Sequence, residues 1–153
     1  MAEQQREDSS AKLFTLPEAE RARQSIEPLL AEAIEHRRHA LDFERRLNAL
    51  AQRIQLTGGL AVRHDKALEL RQGYESTSEK ARSAVEQIEA TGCVVKDLDL
   101  GLVDFPGRLN GESVFWCWRL GEDRIRFWHR EEEGFAGRKP ISPGDSGATP
   151  PIQ

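Results

Sequence analysis

The side chains that could perform chemistry in this sequence are carboxylates and a histidine in its last third. The segment VKDLDLGLVDFP, residues 95–106, places Asp97, Asp99 and Asp104 among leucines and valines. Together with His129, these carboxylates offer the oxygen and nitrogen ligands that divalent metal ions accept. Such spacings also arise from salt bridges and from a turn at VDFPG, and we favour that structural interpretation over a metal site.

The segment GFAGR, residues 134–138, holds two glycines, an aromatic ring and a guanidinium. The backbone N–H groups of such a loop and the side chain of Arg138 could surround an anion. The segment follows no predicted helix start and lacks the Walker spacing, so we favour a structural loop with Phe135 against a sheet. No serine or cysteine stands with a histidine and an acid in a nucleophile pattern. We therefore expect no catalytic residues and no cofactor, and we lean against an enzyme.

A long helix must precede these groups. Thr15 can cap it, Pro17 fits the first turn, and Glu18 completes a capping box. Apolar residues then recur with heptad spacing. One seam is Ala19, Ile26, Ala33, Ala40, Leu47 and Ile54, and the other is Ala22, Leu29, His36, Phe43 and Leu50. We expect one helix, kinked at Pro28, that ends at the TGG of residues 57–59.

A second apolar stripe predicts another helix, which returns along the first. Its positions are Leu60, Ala67, Leu70, Tyr74, Thr77, Ala81, Ala84 and Ile88, and Gly92 can cap its end. Residues 13–92 are thus predicted to form an antiparallel helical hairpin. Because the first helix is longer, its residues 16–27 overhang the second, and we expect the following chain to cover them.

Residues 93–141 contain all three tryptophans and alternate in polarity, which predicts a small antiparallel sheet of about three strands at the base of the hairpin. SVFWCWRL and IRFWH, separated by GEDR, are typical of a β-hairpin. If Leu120 pairs with Ile125, Trp116 lies opposite His129 and both are buried. The predicted fold class is therefore α+β.

The segment CVVKDLDLGLV is predicted to form the third strand. Burial of its leucines would turn Asp97 and Asp99 towards the opposite face, where Arg119 needs neutralising carboxylates. A metal site that joins these aspartates to His129 would then need residues from both faces of the sheet. Lys96 shares the side of the leucines, which indicates a late strand start or a bulge.

Composition limits the range of partners. The net charge of −4 and the pI near 5.6 give no electrostatic reason to expect nucleic acid or an anionic membrane. No apolar run has the length of a membrane span or of a signal peptide, so we expect a cytoplasmic protein. Cys93 and Cys117 match no zinc or redox spacing and are expected to be reduced structural thiols. Residues 1–12 and 142–153 are predicted to be disordered tails.

A further apolar ridge runs along the first helix at Leu30, Ile34 and Leu41. A two-helix hairpin buries a single stripe, so this ridge implies another contact. We favour self-association into a four-helix bundle, that is, a homodimer, and packing on the sheet is the alternative.

Four segments together resemble an uncharacterised bacterial family, domain of unknown function 2203. They are FTLPEAE, VKDLDLGLVDFP, WCWRLGEDRIRFWH and GFAGR, and the resemblance covers roughly residues 13–141. It implies a small cytoplasmic protein of helices and a short sheet, and it brings no established activity. The sequence thus favours a non-enzymatic interaction or oligomerisation protein. The alternative is a metal- or anion-binding domain, with hydrolase activity as one form of it, that uses Asp97, Asp99, Asp104, His129 and Arg138. With Arg119, these residues are also the candidate surface for a ligand or a protein partner.

Overall fold

A computed structural model describes residues 12–58 and 64–147, which form two packed helices and a five-stranded antiparallel sheet. The helices are α1, Leu16–Leu56, and α2, His64–Glu89. The strands are β1, Val94–Asp97; β2, Leu102–Leu109; β3, Glu112–Arg119; β4, Phe127–Arg130; and β5, Lys139–Pro140. The α+β class is confirmed, and the sheet has five strands instead of about three.

The predicted start of α1 is confirmed. Thr15 Oγ1 accepts a hydrogen bond from the backbone N–H of Glu18 at 3.3 Å, and the Glu18 carboxylate accepts one from the backbone N–H of Thr15 at 3.2 Å. This reciprocal box satisfies two N–H groups that a helix start leaves without partners. The helix continues through Pro28 as a single element and ends where Gly58 takes a left-handed conformation, φ 66°.

The predicted seams pack the two helices together. Ala19, Ile26, Ala33 and Ala40 of α1 are buried, as are Leu70, Ala81, Ala84 and Ile88 of α2. Gly73 of α2 allows the ring of Phe43 to lie directly against the helix backbone, because a side chain there would collide with the ring. The predicted Leu60 position lies outside the described residues.

The overhanging part of α1 packs on the sheet. The face of the sheet formed by Val103, Phe105, Trp116 and Trp118 is fully buried and shares one apolar core with Ile26, Leu30 and Ile88. Leu30 is 0% exposed and Ile34 packs against the same core. Two of the three residues of the further ridge are therefore covered by the sheet, and Leu41 remains 40% exposed.

The aspartate segment does not form one strand. It divides into β1 and β2, which are joined by a turn over residues 98–101, so VDFPG lies inside a strand and not in a turn. The expected irregularity near Lys96 is present as a register shift between Val95 and Asp97. Pro106 is tolerated in β2 because its missing N–H faces the edge of the sheet, where its carbonyl accepts the N–H of Phe14 at 2.7 Å.

The predicted register between β3 and β4 is wrong by one residue. Trp116 lies opposite Trp128, not His129, and Cys117 lies opposite Phe127. Pairing between β3 and β4 ends at Cys117 and Phe127, so Leu120 and Ile125 lie in the connection between the strands and not in the ladder. A shift of one residue moves every side chain of a strand to the other face. His129 therefore leaves the tryptophan face.

The start of the predicted C-terminal tail is held in place. Ser146 accepts a hydrogen bond from the backbone N–H of Leu16 at 2.7 Å, and Gly147 lies against Trp116. Residues 142–147 thus pack near the start of α1, and residues 148–153 and 1–11 lie outside the described part. Among the described residues, neither helix combines the length and the apolar composition that a membrane span requires.

Candidate metal centre

Three central strands each contribute one polar side chain to the face of the sheet opposite the tryptophans. Asp104 of β2 lies directly across from Cys117 of β3. His129 of β4 pairs with Phe115, two residues along β3 from Cys117, so its ring shares that face. The register that the sequence did not predict is what brings these three residues together.

The three side chains form a buried cluster. Asp104 and Cys117 are 0% exposed and His129 is 2% exposed. One ligand atom from each residue lies within 4.8 Å of the other two. Within the cluster, His129 Nε2 lies 3.0 Å from Asp104 Oδ1. Polar groups at this depth require compensating partners, because burial of an unpaired charge is costly.

The hydrogen bonds of His129 determine its protonation. Its Nδ1 lies 2.8 Å from the carbonyl oxygen of Arg130, and a carbonyl can only accept, so Nδ1 carries a proton. Nε2 therefore remains to face the Asp104 carboxyl group, 3.0 Å from its Oδ1.

The cluster also contains unused binding capacity. Asp104 Oδ2 is buried without a hydrogen-bond partner among the described residues. Burial raises the pKa of the Cys117 thiol to about 12, and the negative charge of Asp104 and a side-chain hydrogen bond between the two groups add to the rise. The thiol thus stays protonated at neutral pH.

Aromatic side chains and Arg138 surround the cluster. The Phe115 ring lies 5.5 Å from the His129 ring, centroid to centroid. The guanidinium of Arg138 stacks on Phe127 at 4.1 Å from the ring centroid, and its Nη2 lies 3.5 Å from the carbonyl oxygen of Cys117. Arg138 is also paired with both oxygens of Glu122, at 2.7 and 2.9 Å. This pairing engages Nη2, whereas Arg138 Nε is buried without a hydrogen-bond partner among the described residues. The expected anion role of GFAGR therefore stays a prediction.

The other candidate residues named from the sequence, Asp97, Asp99 and Arg119, lie outside this cluster. Asp97 accepts the backbone N–H of Leu100 at 3.0 Å in the turn after β1. Asp99 pairs with Arg37 of α1 at 2.5 Å, and this hydrogen bond lowers the pKa of the Asp99 carboxyl. The expected pairing of both aspartates with Arg119 is wrong, because β1 ends before Asp99 and the turn directs it towards the helix. Arg119 is exposed and lies 5.9 Å from the centroid of the Phe135 ring.

The side chains of the cluster are of types that bind metal ions, and the Cys117 thiol lacks the partner that activates a cysteine nucleophile. A cysteine nucleophile needs a histidine nitrogen or another base to keep it as a thiolate. Here the two nitrogens of His129 contact Arg130 and Asp104, and the thiol has a raised pKa. A thiol, an imidazole and a carboxylate are the ligand types that Zn²⁺ accepts.

Sequence reasoning named Asp104 and His129 but missed Cys117. Neither cysteine belongs to a C-x-x-C or similar pattern, so spacing gave no signal. The signal that could have found Cys117 is the pairing of VDFP with FWCW, which places Asp104 opposite it.

The fold and this cluster define a class of protein. It is a helical hairpin with an antiparallel sheet, and the face of the sheet opposite the tryptophans holds a buried aspartate, cysteine and histidine. Residues 12–141 match the family described as Uncharacterized conserved protein (DUF2203), and the chain belongs to that family. Neither a search of curated proteins nor a search of solved structures found a match.

Proposed function

We propose that this protein is a metal-binding domain in which Asp104, Cys117 and His129 hold one Zn²⁺ ion. The observation that carries the proposal is the convergence of these three ligand types from three strands at a site where Asp104 Oδ2 has no other partner among the described residues. The bound ion would cross-link β2, β3 and β4.

The charge balance of the site supports a divalent ion. In such a site Cys117 binds as a thiolate after release of its proton, His129 as a neutral imidazole and Asp104 as a carboxylate. The ligands then carry two negative charges, and Zn²⁺ supplies two positive ones. Such a site has no net charge and can be fully buried, whereas burial of a net charge would be costly.

The geometry supports the same ion. Bonds of about 2.0 to 2.3 Å in a tetrahedral site separate the ligand atoms by roughly 3.3 to 3.8 Å. The observed separations begin at 3.0 Å and extend to no more than 4.8 Å, so small side-chain rotations suffice. The hydrogen bond from His129 Nδ1 to a backbone carbonyl is the usual support of a histidine that binds metal through Nε2.

The proposal is tested by competition of the purified protein with a chromophoric chelator for zinc, together with thermal unfolding. We expect one zinc per chain. Zinc at about 100 times its dissociation constant should stabilise the fold by about 2.7 kcal/mol. The variants Asp104→Asn and Cys117→Ser should each lose most of the affinity and the stabilisation.

Cys93→Ser is the matched control, because Cys93 is equally buried but lies outside the cluster, with its thiol bonded to the carbonyl of Ile88. It should bind zinc like the parent chain. Absence of zinc binding by the folded parent protein would refute the proposal. A loss of zinc affinity in Cys93→Ser as large as that in Cys117→Ser would also refute it.

A second candidate function is self-association through the end of the hairpin far from the sheet. Beyond Ala40, no described residue of α1 is buried. Its apolar seam at Phe43, Leu47 and Ile54 stays partly exposed, and Leu56 is 86% exposed. A second copy that packs on this seam would form the four-helix bundle expected from the heptads. Light scattering at tens of micromolar should give the mass of a dimer, and a monomer would contradict this candidate.

We further propose that the protein works in a bacterial cytoplasm. Cys93 and Cys117 are both free and buried, which is the usual state of cysteines in a reducing compartment. Fractionation of cells that produce a tagged chain tests this, and recovery in an extracytoplasmic fraction would contradict it.

A further inference from the structure

A cavity of about 760 Å³ lies beside the start of β4. The start of α1, the first residues of β4 and the segment that follows β5 form its walls. The apolar part of the lining is Leu16, Ile125, Phe127, Pro140, Ile141 and Pro143. Cavities of a few hundred to about 1,000 Å³ with mainly apolar walls are typical of small-molecule sites.

Four charged side chains line this cavity, and three of them already have partners. Glu20 accepts hydrogen bonds from Arg23 at 2.6 Å and from the backbone N–H of Ile125 at 3.0 Å. Arg126 is paired with Asp123 at 2.9 Å. The carboxylate of Asp145 accepts the backbone N–H of Ser142 at 2.9 Å.

Arg124 is the exception. Arg124 lines the cavity, is exposed and, within the described part of the chain, makes neither a hydrogen bond nor an ion pair, although its charge is close enough to Asp123 to lower the pKa of that carboxyl. A cation at the rim of an apolar cavity complements a ligand with an apolar body and an anionic end.

We propose that this cavity binds a small amphipathic molecule with one anionic group, of the chemical class of medium-chain carboxylates. The apolar body lies among Leu16, Ile125 and Ile141, and the anionic group pairs with Arg124. The site does not depend on the metal cluster, since none of the three metal ligands lines the cavity.

The test is isothermal titration of the full chain with decanoate and with decyltrimethylammonium, which has the same chain length and the opposite charge. Decanoate should bind at least about tenfold more tightly. Arg124→Glu should remove or reverse this preference, and Arg126→Gln should keep it because Arg126 is already paired. Ser142→Trp should fill the cavity and abolish binding, and circular dichroism confirms that each variant folds.

The proposal is overturned if decanoate does not bind, if the cation binds as tightly as decanoate, or if Ser142→Trp leaves binding unchanged. Loss of the preference in Arg126→Gln as well as in Arg124→Glu would also overturn it, because binding would then follow surface charge in general. Zinc binding by the same variants reports separately on the metal site.

Discussion

At the scale of single residues, hydrogen bonds set the properties of the groups that define this molecule. The hydroxyl of Thr15 holds the start of α1, and the carbonyl of Arg130 fixes the proton of His129. The capping box could be predicted because its partners are three residues apart. The environment of His129 could not, because Asp104, the partner of its Nε2, comes from another strand.

The pKa of Glu18 reports whether the capping box is formed. The side-chain hydrogen bond with Thr15 lowers the pKa of the Glu18 carboxyl from its ordinary 4.5. A lowered pKa contributes stability that is present above 4.5 and is lost as the pH falls through the folded-state pKa. Thr15→Ala should move the pKa of Glu18 back towards 4.5 in an NMR titration, and the stabilities of parent and variant should approach each other in acid. An unchanged pKa would contradict the observed box.

The raised pKa of Cys117 predicts that stability falls at high pH, whereas the lowered pKa of Glu18 predicts that it falls at low pH. Its folded-state pKa is raised from 9.0 to about 12, so its contribution to stability is complete below 9 and declines as the pH rises towards 12. In metal-free protein, urea unfolding above pH 9 should show a steeper loss of stability for the parent chain than for Cys117→Ser, which cannot lose this proton. Parallel curves would show that the thiol is not held in the buried, protonated state.

At the scale of elements, the two helices agree with the sequence pattern and the sheet departs from it. Heptads and capping residues act locally, so α1 could be predicted closely. Strand pairing depends on connections that the pattern does not specify. Leu120 and Ile125, which were expected to pair, lie in the connection, and the observed register places His129 on the face of Cys117. The site was missed for the same reason.

The contact between α1 and α2 at Gly73 gives a test at this scale. Alanine normally favours a helix over glycine by about 1 kcal/mol. Here a Cβ at Gly73 would collide with the Phe43 ring, so Gly73→Ala should destabilise the protein by about 1 kcal/mol or more in urea unfolding.

The same substitution in a Phe43→Ala background is the control, because the ring that obstructs the Cβ is absent. There Gly73→Ala should stabilise the fold by up to about 1 kcal/mol. Stabilisation in both backgrounds would show that Phe43 does not pack against the glycine.

At the scale of the whole molecule, the core lies where the overhang of α1 meets the sheet, and the far end of the hairpin is thinly packed. Ile26 is 0% exposed in this core, whereas Ile54 near the far end is partly exposed. Unequal helix lengths predicted that something must cover the overhang. They gave no indication that the outer face of the covering sheet holds a polar cluster.

Because packing differs between the core and the far end of the hairpin, an isoleucine-to-alanine substitution should lower the free energy of unfolding by different amounts in the two places. Ile26→Ala should destabilise the protein by about 2 to 5 kcal/mol, since it opens a cavity in the core. Ile54→Ala should destabilise the protein clearly less than Ile26→Ala when unfolding is followed by circular dichroism in dilute solution. A cost for Ile54→Ala that grows with protein concentration would instead place this residue in the interface of the proposed dimer.

X-ray absorption at the zinc edge of the zinc-loaded protein is the decisive measurement for the proposed Zn²⁺ ion between β2, β3 and β4. We expect one sulfur ligand at about 2.3 Å together with nitrogen and oxygen ligands at about 2.0 to 2.2 Å. The sulfur should disappear in Cys117→Ser and remain in Cys93→Ser. A shell of oxygen and nitrogen ligands without sulfur in the parent protein would contradict the site.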